Sequence, residues 1–505
     1  MSTSRALAGT TAALVAVVTA VSAVAVPAAA VPAAAVPAAA VPAAAVPAAA
    51  VPVTAVSAAA APPAPATPPA ASAVSHVVSA APPGGTYYVQ SVTTGLNAAD
   101  AAGAVEQHRP RGDEDHQRWR LRAEGSATVL ESVDTAGRCL GRSGTQARTV
   151  ACGTAEAAWE IVDAGADRYR LRAPGTDGYL AVGPRPSGAG YPAQLTVGAS
   201  GTLAEWYLTP EGPVTNPAPP AGERTLDQMT FLTAHNAYAN GVDGGFAPPF
   251  VNLAPNQVRG IEQQLADGVR GFQLDVHQTP DGAILCHNSC TLVGSPVALW
   301  VDLQRMVDFL AAHPDQFVTV FLEDYVDPEV LRAELDRVTG LADVLYRPDL
   351  TGVREHGWPT MERLVADDDR LLIFSDHSRS ADESAGLTRD SFGVLYQREW
   401  TVENYWSMGP GIGDSDWSCY SRWYDAGTNI PLTEPGSGFR PLFVMNHFRD
   451  VPVAATARTD NERLLNRAQR FCQPAARKKP TYLAVDRYDV GDPATAVATL
   501  NTYTY

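Results

Sequence analysis

Apolar, strand-like runs recur throughout residues 223–505 of the 505-residue chain, and this recurrence limits its fold more than any other feature. Continuous apolar runs suit strands that are buried on both faces of a parallel sheet. The runs are MTFLTAH, VRGFQLDVH, AILCH, FVTVFLED, RLLIFSD, GVLYQREW, PLFVMNHF and YLAVDRY. Helical patterns lie between several of them, although the second and third runs are too close together for a helix. Eight strands with intervening helices predict a TIM-like (β/α)8 barrel.

Polar, reactive side chains follow each of the first four runs. In barrels of this kind, catalytic residues project from the carboxyl ends of the strands. We therefore expect one site to collect these residues, which are His235-Asn236, Asp275 with His277, His287-Asn288, and Glu323-Asp324.

Two histidines that face one site can split a phosphodiester bond. One imidazole removes a proton from the attacking oxygen, and the other protonates the departing oxygen. An unperturbed imidazole titrates near ~6.5, so both protonation states are accessible near neutral pH. The negative charge on the phosphoryl oxygens then has to be offset by a cation or an arginine.

The composition before residue 223 predicts an exported, multidomain chain. An apolar stretch follows Arg5, and small residues near Ser22 suit a signal peptidase, although the stretch would also be long enough for an N-terminal membrane anchor. Five copies of VPAAA then begin a proline-rich spacer. The predicted segments are a signal peptide at 1–25, a spacer at 26–84, a β domain at 85–211, a linker at 212–222 and the barrel at 223–505.

The β domain contains three similar segments around tryptophans, namely HQRWRLR, EAAWEIV and LAEWYLT. This repetition predicts small β units. It resembles a ricin-type β-trefoil, whose repeats carry a Gln-x-Trp signature, although only the first copy keeps the glutamine, Gln117. The resemblance implies carbohydrate as a ligand. However, sugar-binding repeats of that family usually have an aspartate where this chain has Gly141, which argues against carbohydrate binding.

The formal net charge of −17 excludes some partners. A strongly acidic chain is not suited to nucleic acid. It also has no general attraction to an anionic membrane surface.

The barrel region resembles the X-domain of phosphatidylinositol-specific phospholipase C, and is most similar to proteins that contain only this domain. The resemblance depends on the order and spacing of TFLTAHNAYAN, QQLADGVRGFQLDVH, ILCHNSC, FVTVFLEDYV, WPTMERLV, RLLIFSD, YQREWTVEN and FVMNHF. It implies a phospholipase C that acts on an inositol phospholipid or another phosphodiester.

The resemblance also implies individual roles. His235 would be the general base and His287 the general acid, and Asn236, Asp275 and Glu323 would be ligands of a divalent cation, expected to be Ca²⁺. Two positions depart from the family. Gln273 stands where calcium-dependent members often have a glutamate, and His277 stands where metal-independent members have an arginine.

Further residues are candidates for contacts in the site. Arg270 and His277 are candidate substrate-binding residues. Asp486, at the end of the last run, could orient a catalytic histidine.

Six cysteines in an exported chain are expected to be paired. Many pairings are possible from the spacing alone. Proximity together with the family resemblance favours Cys139 with Cys152, Cys286 with Cys290, and Cys419 with Cys472.

Two other functions remain open. One is a metal-dependent glycerophosphodiester phosphodiesterase on the same kind of barrel. The other is a secreted carbohydrate-binding protein in which the barrel is degenerate. Because a proline-rich linker separates the two domains, we also expect the barrel to work without the β domain.

Export and oxidation can be tested on protein secreted by its native host. Mass spectrometry should find that the N-terminal apolar segment has been removed and that no cysteine is a free thiol. Six free thiols in the secreted protein would contradict the predicted pairing.

Overall fold

The computed structural model describes residues 82–186, 189–198, 200–243, 255–286, 290, 296–424, 430–433 and 439–505. These residues belong to one compact unit, Ser75–Tyr505. The predicted signal peptide, most of the predicted spacer, and His287 and Asn288 lie outside the described residues. Within the described part of the chain, no helix is both long and apolar enough to span a membrane.

The N-terminal β domain is built from antiparallel strands. Seven of them close a ring in the order β1-β2-β3-β7-β6-β5-β4, with β4 paired again to β1. Its described strands are β1 Gly85–Ser91, β2 Asn97–Ala101, β3 Ala104–His108, β4 Arg118–Glu124, β5 Ala127–Ser132, β6 Arg138–Ser143, β7 Gln146–Ala151, β8 Glu160–Gly165, β9 Arg168–Arg172, β10 Leu180–Ala181, β11 Thr196–Val197 and β12 Trp206–Pro210.

The three repeated tryptophans fill the core of this domain. Trp119, Trp159 and Trp206 are fully buried. Because a buried indole N–H needs an acceptor, each Nε1 donates to a backbone carbonyl at 2.9 Å. The acceptors are the equivalent residues Ala98, Leu140 and Leu180.

The C-terminal domain contains parallel strands and short helices. Its described strands are β13 Asn216–Pro217, β14 Phe231–Ala234, β15 Gly271–Thr279, β16 Gly282–Leu285, β17 Val297–Ala298, β18 Val318–Tyr325, β19 Leu371–Ser375, β20 Val394–Tyr396, β21 Thr401–Glu403, β22 Leu442–His447, β23 Tyr482–Val485 and β24 Tyr503–Thr504. Its described helices are α1 Ile261–Ala266, α2 Leu299–Ala312, α3 Pro328–Leu335, α4 Leu341–Val344, α5 Val353–His356, α6 Met361–Ala366, α7 Arg379–Ala385, α8 Gln397–Trp400, α9 Ala454–Asn461, α10 Leu464–Arg467, α11 Gln473–Ala476 and α12 Pro493–Leu500.

The main sheet runs in the order β20-β19-β18-β15-β14-β23-β22-β21, and every neighbouring pair in it is parallel. Side chains alternate between two apolar clusters, one on each face. Phe321, Phe374 and Tyr482 belong to the cluster that also holds Leu442 and Val444. The larger cluster packs the other face of the sheet against α2 and its neighbouring helices. The sheet is therefore buried on both faces, as its apolar runs predict.

The predicted β-trefoil followed by a (β/α)8 barrel is wrong. The N-terminal domain contains a closed seven-stranded antiparallel barrel, and the parallel sheet is open because β20 and β21 do not pair within the described residues. The described residues between β21 and β22 also contain no helix. The third apolar run forms β16, which pairs antiparallel with β15. A connection too short for a crossover helix permits an antiparallel hairpin but not a parallel pair.

The two domains share an interface. Gln90 donates from Nε2 to the carbonyl of Ala475 at 2.7 Å. The guanidinium of Arg477 lies 4.3 Å from the centre of the Tyr207 ring. The linker takes part as well, because β13 pairs with the last strand, β24.

The predicted cysteine pairs are confirmed. The structure joins Cys139 to Cys152, Cys286 to Cys290, and Cys419 to Cys472. The last pair crosses from the segment after β21 to the helical turns before α11, and so closes a long loop. Disulfides of this kind stabilise a fold mainly by restricting the unfolded chain.

The packing around Gly141 can be tested by substitution. A Cβ atom there would lie 2.4 Å from Cγ2 of Val150 and 2.8 Å from the carbonyl oxygen of Glu156. We expect Gly141→Asp to lower the free energy of unfolding by roughly 1–3 kcal/mol, measured by thermal or denaturant unfolding. Ser143→Asp, at an exposed position of the same strand, is the control and should be nearly neutral. Equal stability of the two variants would contradict this account of the packing.

Candidate active site

A cavity of about 480 Å³ opens at the carboxyl end of the parallel sheet. Side chains from several strand ends line it, as expected where parallel strands finish at one edge. Those with chemical roles are His235, Asn236, Gln273, Asp275, Glu323, Asp376, Glu403, Arg422 and Asn446. The structure therefore brings His235, Asn236, Asp275 and Glu323, which the sequence placed in one site, into one cavity.

His235 is held by a buried carboxylate and an aromatic ring. Its Nδ1 lies 2.8 Å from Oδ1 of Asp486, and its ring stacks on Phe448 with the ring centres 3.5 Å apart. Asn256 donates from Nδ2 to the same carboxylate oxygen at 2.9 Å. Because Asp486 can only accept when ionised, Nδ1 carries the proton in the neutral imidazole. Nε2 then keeps its lone pair.

The backbone brings this pair together. β14 and β23 run parallel with Ala234 opposite Val485, so the residue that follows each strand is on the same edge. The amide of His235 donates to the carbonyl of Val485 at 3.1 Å. Gln257 donates from Nε2 to the carbonyls of His235 and Val485 and so ties the two strand ends together.

The backbone adopts an unusual conformation immediately after each of these two residues. Asn236 and Arg487 have positive φ angles of 43° and 49°, in the left-handed region that side chains other than glycine seldom adopt. This backbone conformation occurs next to His235 and Asp486, and such strained positions often cluster at functional sites.

Carboxylates dominate the opposite side of the cavity. Asp275 and Glu323 are directly opposite each other in the register of β15 and β18. Burial raises the pKa of Asp275 well above its usual range, and the charge of Glu323 raises it further, whereas the Tyr238 hydroxyl opposes the shift. Burial also raises the pKa of Asp376 to about 6. The cavity therefore gathers carboxyl groups in a partly desolvated space, where a cation or a proton would relieve their mutual repulsion.

Arg422 and Arg449 both line the cavity, and Arg449 is paired with the buried carboxylate of Asp460. Arg422 donates from Nη1 to both carboxylate oxygens of Glu403, at 3.1 and 3.2 Å. Glu403 also accepts from Nδ2 of Asn446 at 2.7 Å and from Nε2 of Gln397 at 3.1 Å. The charge of Glu403 is the main cause of the raised pKa of Arg422, with smaller contributions from Asp376 and Glu323. Arg422 stays charged and fixed in direction.

The oxygen atoms in the cavity fit a hard divalent cation. Asn236, Asp275 and Glu323 offer amide and carboxylate oxygens, which Ca²⁺ prefers. Oε1 of Gln273 is buried and has no hydrogen-bond partner among the described residues, while its Nε2 donates to Asn446 at 3.2 Å. An orphaned amide oxygen beside two facing carboxylates is an arrangement that a cation would satisfy.

A second group of potential ligands does not suit a metal. Among the described residues, His277, Cys286 and Cys290 are the one set of His, Cys, Asp or Glu residues whose ligand atoms lie within 4.8 Å of one another. The two sulfur atoms are joined to each other as a disulfide, so neither is a thiolate that could coordinate a cation.

Two predicted substrate-binding residues lie elsewhere. Arg270 precedes β15 at the opposite end of the sheet, where its guanidinium donates to Gln316 and to the carbonyls of Leu265 and Val269. His277 stacks on Tyr325 with the ring centres 4.5 Å apart and does not line the cavity. Asp486, by contrast, contacts His235 directly.

Sequence reasoning missed Arg422, Glu403 and Asn256. Arg422 and Asn256 lie in irregular segments without periodicity, and Glu403 ends a strand of three residues. The signal available for Glu403 was its position at a strand end, which requires that such a short strand be recognised.

The C-terminal domain is similar in sequence to known proteins. Residues 223–406 match the PI-PLC X family. A PI-PLC X domain-containing protein of Arabidopsis thaliana is 28% identical over 282 residues, which cover 55% of this chain and 62% of that protein. A protein of Arthroderma benhamiae named only as an uncharacterized secreted protein is 25% identical over 329 residues, or 62% of this chain and 70% of its own.

These matches confirm the resemblance of the C-terminal domain to the PI-PLC X domain. A solved structure of a ricin B-like lectin of Macrolepiota procera is 19% identical and covers 26% of this chain and 98% of its own, with a TM-score of 0.22. That score is too low to indicate a shared fold.

The proton position on His235 can be measured directly. ¹⁵N NMR of labelled histidine should find the proton of neutral His235 on Nδ1 in the wild-type protein, and Asp486→Ala should remove this preference.

His447 is a built-in control for this measurement. Its Nε2 lies 2.9 Å from the carbonyl of Asp460, so its proton belongs on Nε2. Burial lowers the pKa of His447 to about 3, so its imidazole stays neutral at the near-neutral pH of the NMR measurement. A wild-type His235 protonated on Nε2 instead would contradict the assigned geometry.

Proposed function

We propose that this protein cleaves a phosphodiester bond in the manner of a phospholipase C, with phosphatidylinositol or a related inositol phosphodiester as substrate. The observation that carries the proposal is the His235–Asp486 pair, which faces a carboxylate cluster across one cavity. The relation to the PI-PLC X family supports the same chemistry.

His235 acts as the general base. Its Nε2 lone pair accepts the proton of the attacking hydroxyl group while Nδ1–H continues to donate to Asp486. The Asp486 carboxylate stabilises the imidazolium that forms. Stacking on Phe448 limits rotation of the ring, so less orientational freedom is lost when substrate binds.

His287 is the proposed general acid, and this role stays a prediction because His287 lies outside the described residues. The amide of Cys286 donates to the carbonyl of Asp275 at 3.2 Å, so the chain is anchored beside a cavity carboxylate one residue before His287.

Arg422 binds the phosphoryl oxygens in this proposal. Asn236, Gln273, Asp275 and Glu323 would hold Ca²⁺, which when bound offsets further negative charge on the phosphodiester. Without a cation, the negative charge that remains among Asp275, Glu323 and Asp376 would repel an anionic substrate.

A glycerophosphodiester phosphodiesterase is the second candidate. That chemistry is typically associated with a denser set of carboxylates, and Asp275, Glu323, Asp376 and Glu403 all line the cavity. The first candidate is favoured because Glu403 is already neutralised by Arg422. The two candidates differ in whether a substrate hydroxyl or water attacks phosphorus.

Carbohydrate binding by the N-terminal domain is not favoured. The residues that follow the three tryptophan-bonded carbonyls are Ala99, Gly141 and Ala181, which are buried and carry no carboxylate. The protein is further proposed to be exported, which the name of the Arthroderma benhamiae relative and the three disulfides support.

Turnover by the purified protein should be measured on inositol, choline and glycerol phosphodiesters. We expect the inositol compound to be cleaved fastest. His235→Ala should lower the rate roughly 10²–10⁴-fold through the loss of proton transfer, whereas His313→Ala, at an exposed helix end, should not change it. An unchanged rate in His235→Ala would overturn the site.

The cation is tested by chelation. Turnover should fall after exhaustive chelation and return when Ca²⁺ is added. Glu323→Gln should weaken the response to Ca²⁺, whereas Glu329→Gln, at an exposed position of α3, should leave it intact. Full activity after exhaustive chelation would remove the cation from the proposal and leave Arg422 as the cationic group.

A further inference from the structure

The segment that carries Arg422 also touches the other domain. Residues 404–424, which follow β21, supply Trp406 and Arg422 to the cavity. The two ends of this segment lie side by side, because Asn404 and Ser421 form an antiparallel bridge and the amide of Tyr405 donates to the carbonyl of Tyr420 at 2.8 Å.

The C-terminal domain fixes residues 404–424 through a disulfide and two hydrogen bonds. Cys419 is joined to Cys472. The fully buried guanidinium of Arg467 donates to the carbonyls of Trp417 and Ser418, each at 3.3 Å. These contacts fix the backbone just before Tyr420.

The N-terminal domain supplies contacts to that ring and its neighbours. The amide of Cys419 donates to the carbonyl of Pro110 at 2.9 Å. The guanidinium of Arg109 lies 4.0 Å from the centre of the Tyr420 ring and 3.5 Å from Asp416. Tyr420 also stacks on Tyr405, with the ring centres 5.3 Å apart.

We propose that the N-terminal β domain positions Arg422 in the cavity, with Arg109 and Pro110 as its positioning residues. This inference rests on the proposed function. Tyr420 is only two residues before Arg422, a span of at most roughly 7 Å of extended chain. A shift of the Tyr420 ring is therefore transmitted to the guanidinium that faces the phosphodiester.

The position of Arg422 leaves little tolerance for such a shift. The amide of Arg422 donates to the carbonyl of Glu403 at 3.0 Å, and its side chain binds the carboxylate of the same residue. Both bonds require the two ends of the segment to stay in register. The β domain is thus part of the catalytic unit, contrary to the expectation that the C-terminal domain works without it.

A double-mutant cycle tests the coupling in the full-length protein. Arg109→Ala should lower kcat/KM roughly 10- to 100-fold, as expected when a charged group moves by about 1 Å. It should divide the loss between kcat and KM in the same way as Arg422→Ala. The double variant should be no slower than Arg422→Ala alone, because the two residues act through one group.

The matched control is Arg120→Ala. Arg120 is also an exposed arginine of the β domain with a carboxylate partner, Glu131, at 4.0 Å, but it does not contact residues 404–424. Its kcat/KM should equal that of the wild type.

Hydrogen exchange provides a readout that does not require turnover. Arg109→Ala should speed amide exchange at Tyr405, Cys419 and Arg422, the three residues whose amides hold the segment. Arg120→Ala should not. If the wild-type protein cleaves none of the phosphodiesters, the proposed function fails. Hydrogen exchange still tests whether Arg109 holds residues 404–424 in place.

Two results would overturn the inference. One is unchanged exchange across residues 404–424 in Arg109→Ala. The other is a double variant whose loss is the full product of the two single losses, since independent effects would mean that Arg109 does not act through Arg422.

Discussion

The site depends on the parallel pairing of β14 with β23. Their register places the residue after one strand beside the residue after the other, so that His235 meets Asp486. These strands lie far apart in the chain, and Gln257 locks their ends by bonding to both backbones. A register shift of one residue would turn each side chain to the opposite face of the sheet and would separate the base from its carboxylate.

Electrostatic imbalance is the second organising feature. Glu403 is paired with Arg422, whereas Asp275 faces Glu323, and burial together with that like charge raises the pKa of Asp275. Such an arrangement is costly unless a cation or a proton occupies it. The orphaned oxygen of Gln273 belongs to the same space. Charge imbalance and an unmet acceptor together support a cation beside the phosphodiester.

Much of the sheet and part of the site could be predicted from the sequence. The apolar runs mark seven of the parallel strands, and His235, Asp275 and Glu323 stand at strand ends where chemistry is expected. Closure of a barrel could not be predicted, because strand pairing depends on long-range geometry and β21 is only three residues long. Arg422 was missed because it reaches the cavity from an irregular segment whose path is set by contacts with Arg109, Pro110 and Cys472.

The central claim is that a substrate hydroxyl, deprotonated by His235, attacks phosphorus. The most direct test is ³¹P NMR of phosphatidylinositol cleavage in water enriched with ¹⁸O. The account predicts that a cyclic inositol phosphodiester without solvent oxygen appears first and that His235→Ala does not form it. A first product that is a phosphomonoester carrying ¹⁸O would contradict the account, because water rather than the ring hydroxyl would then be the nucleophile.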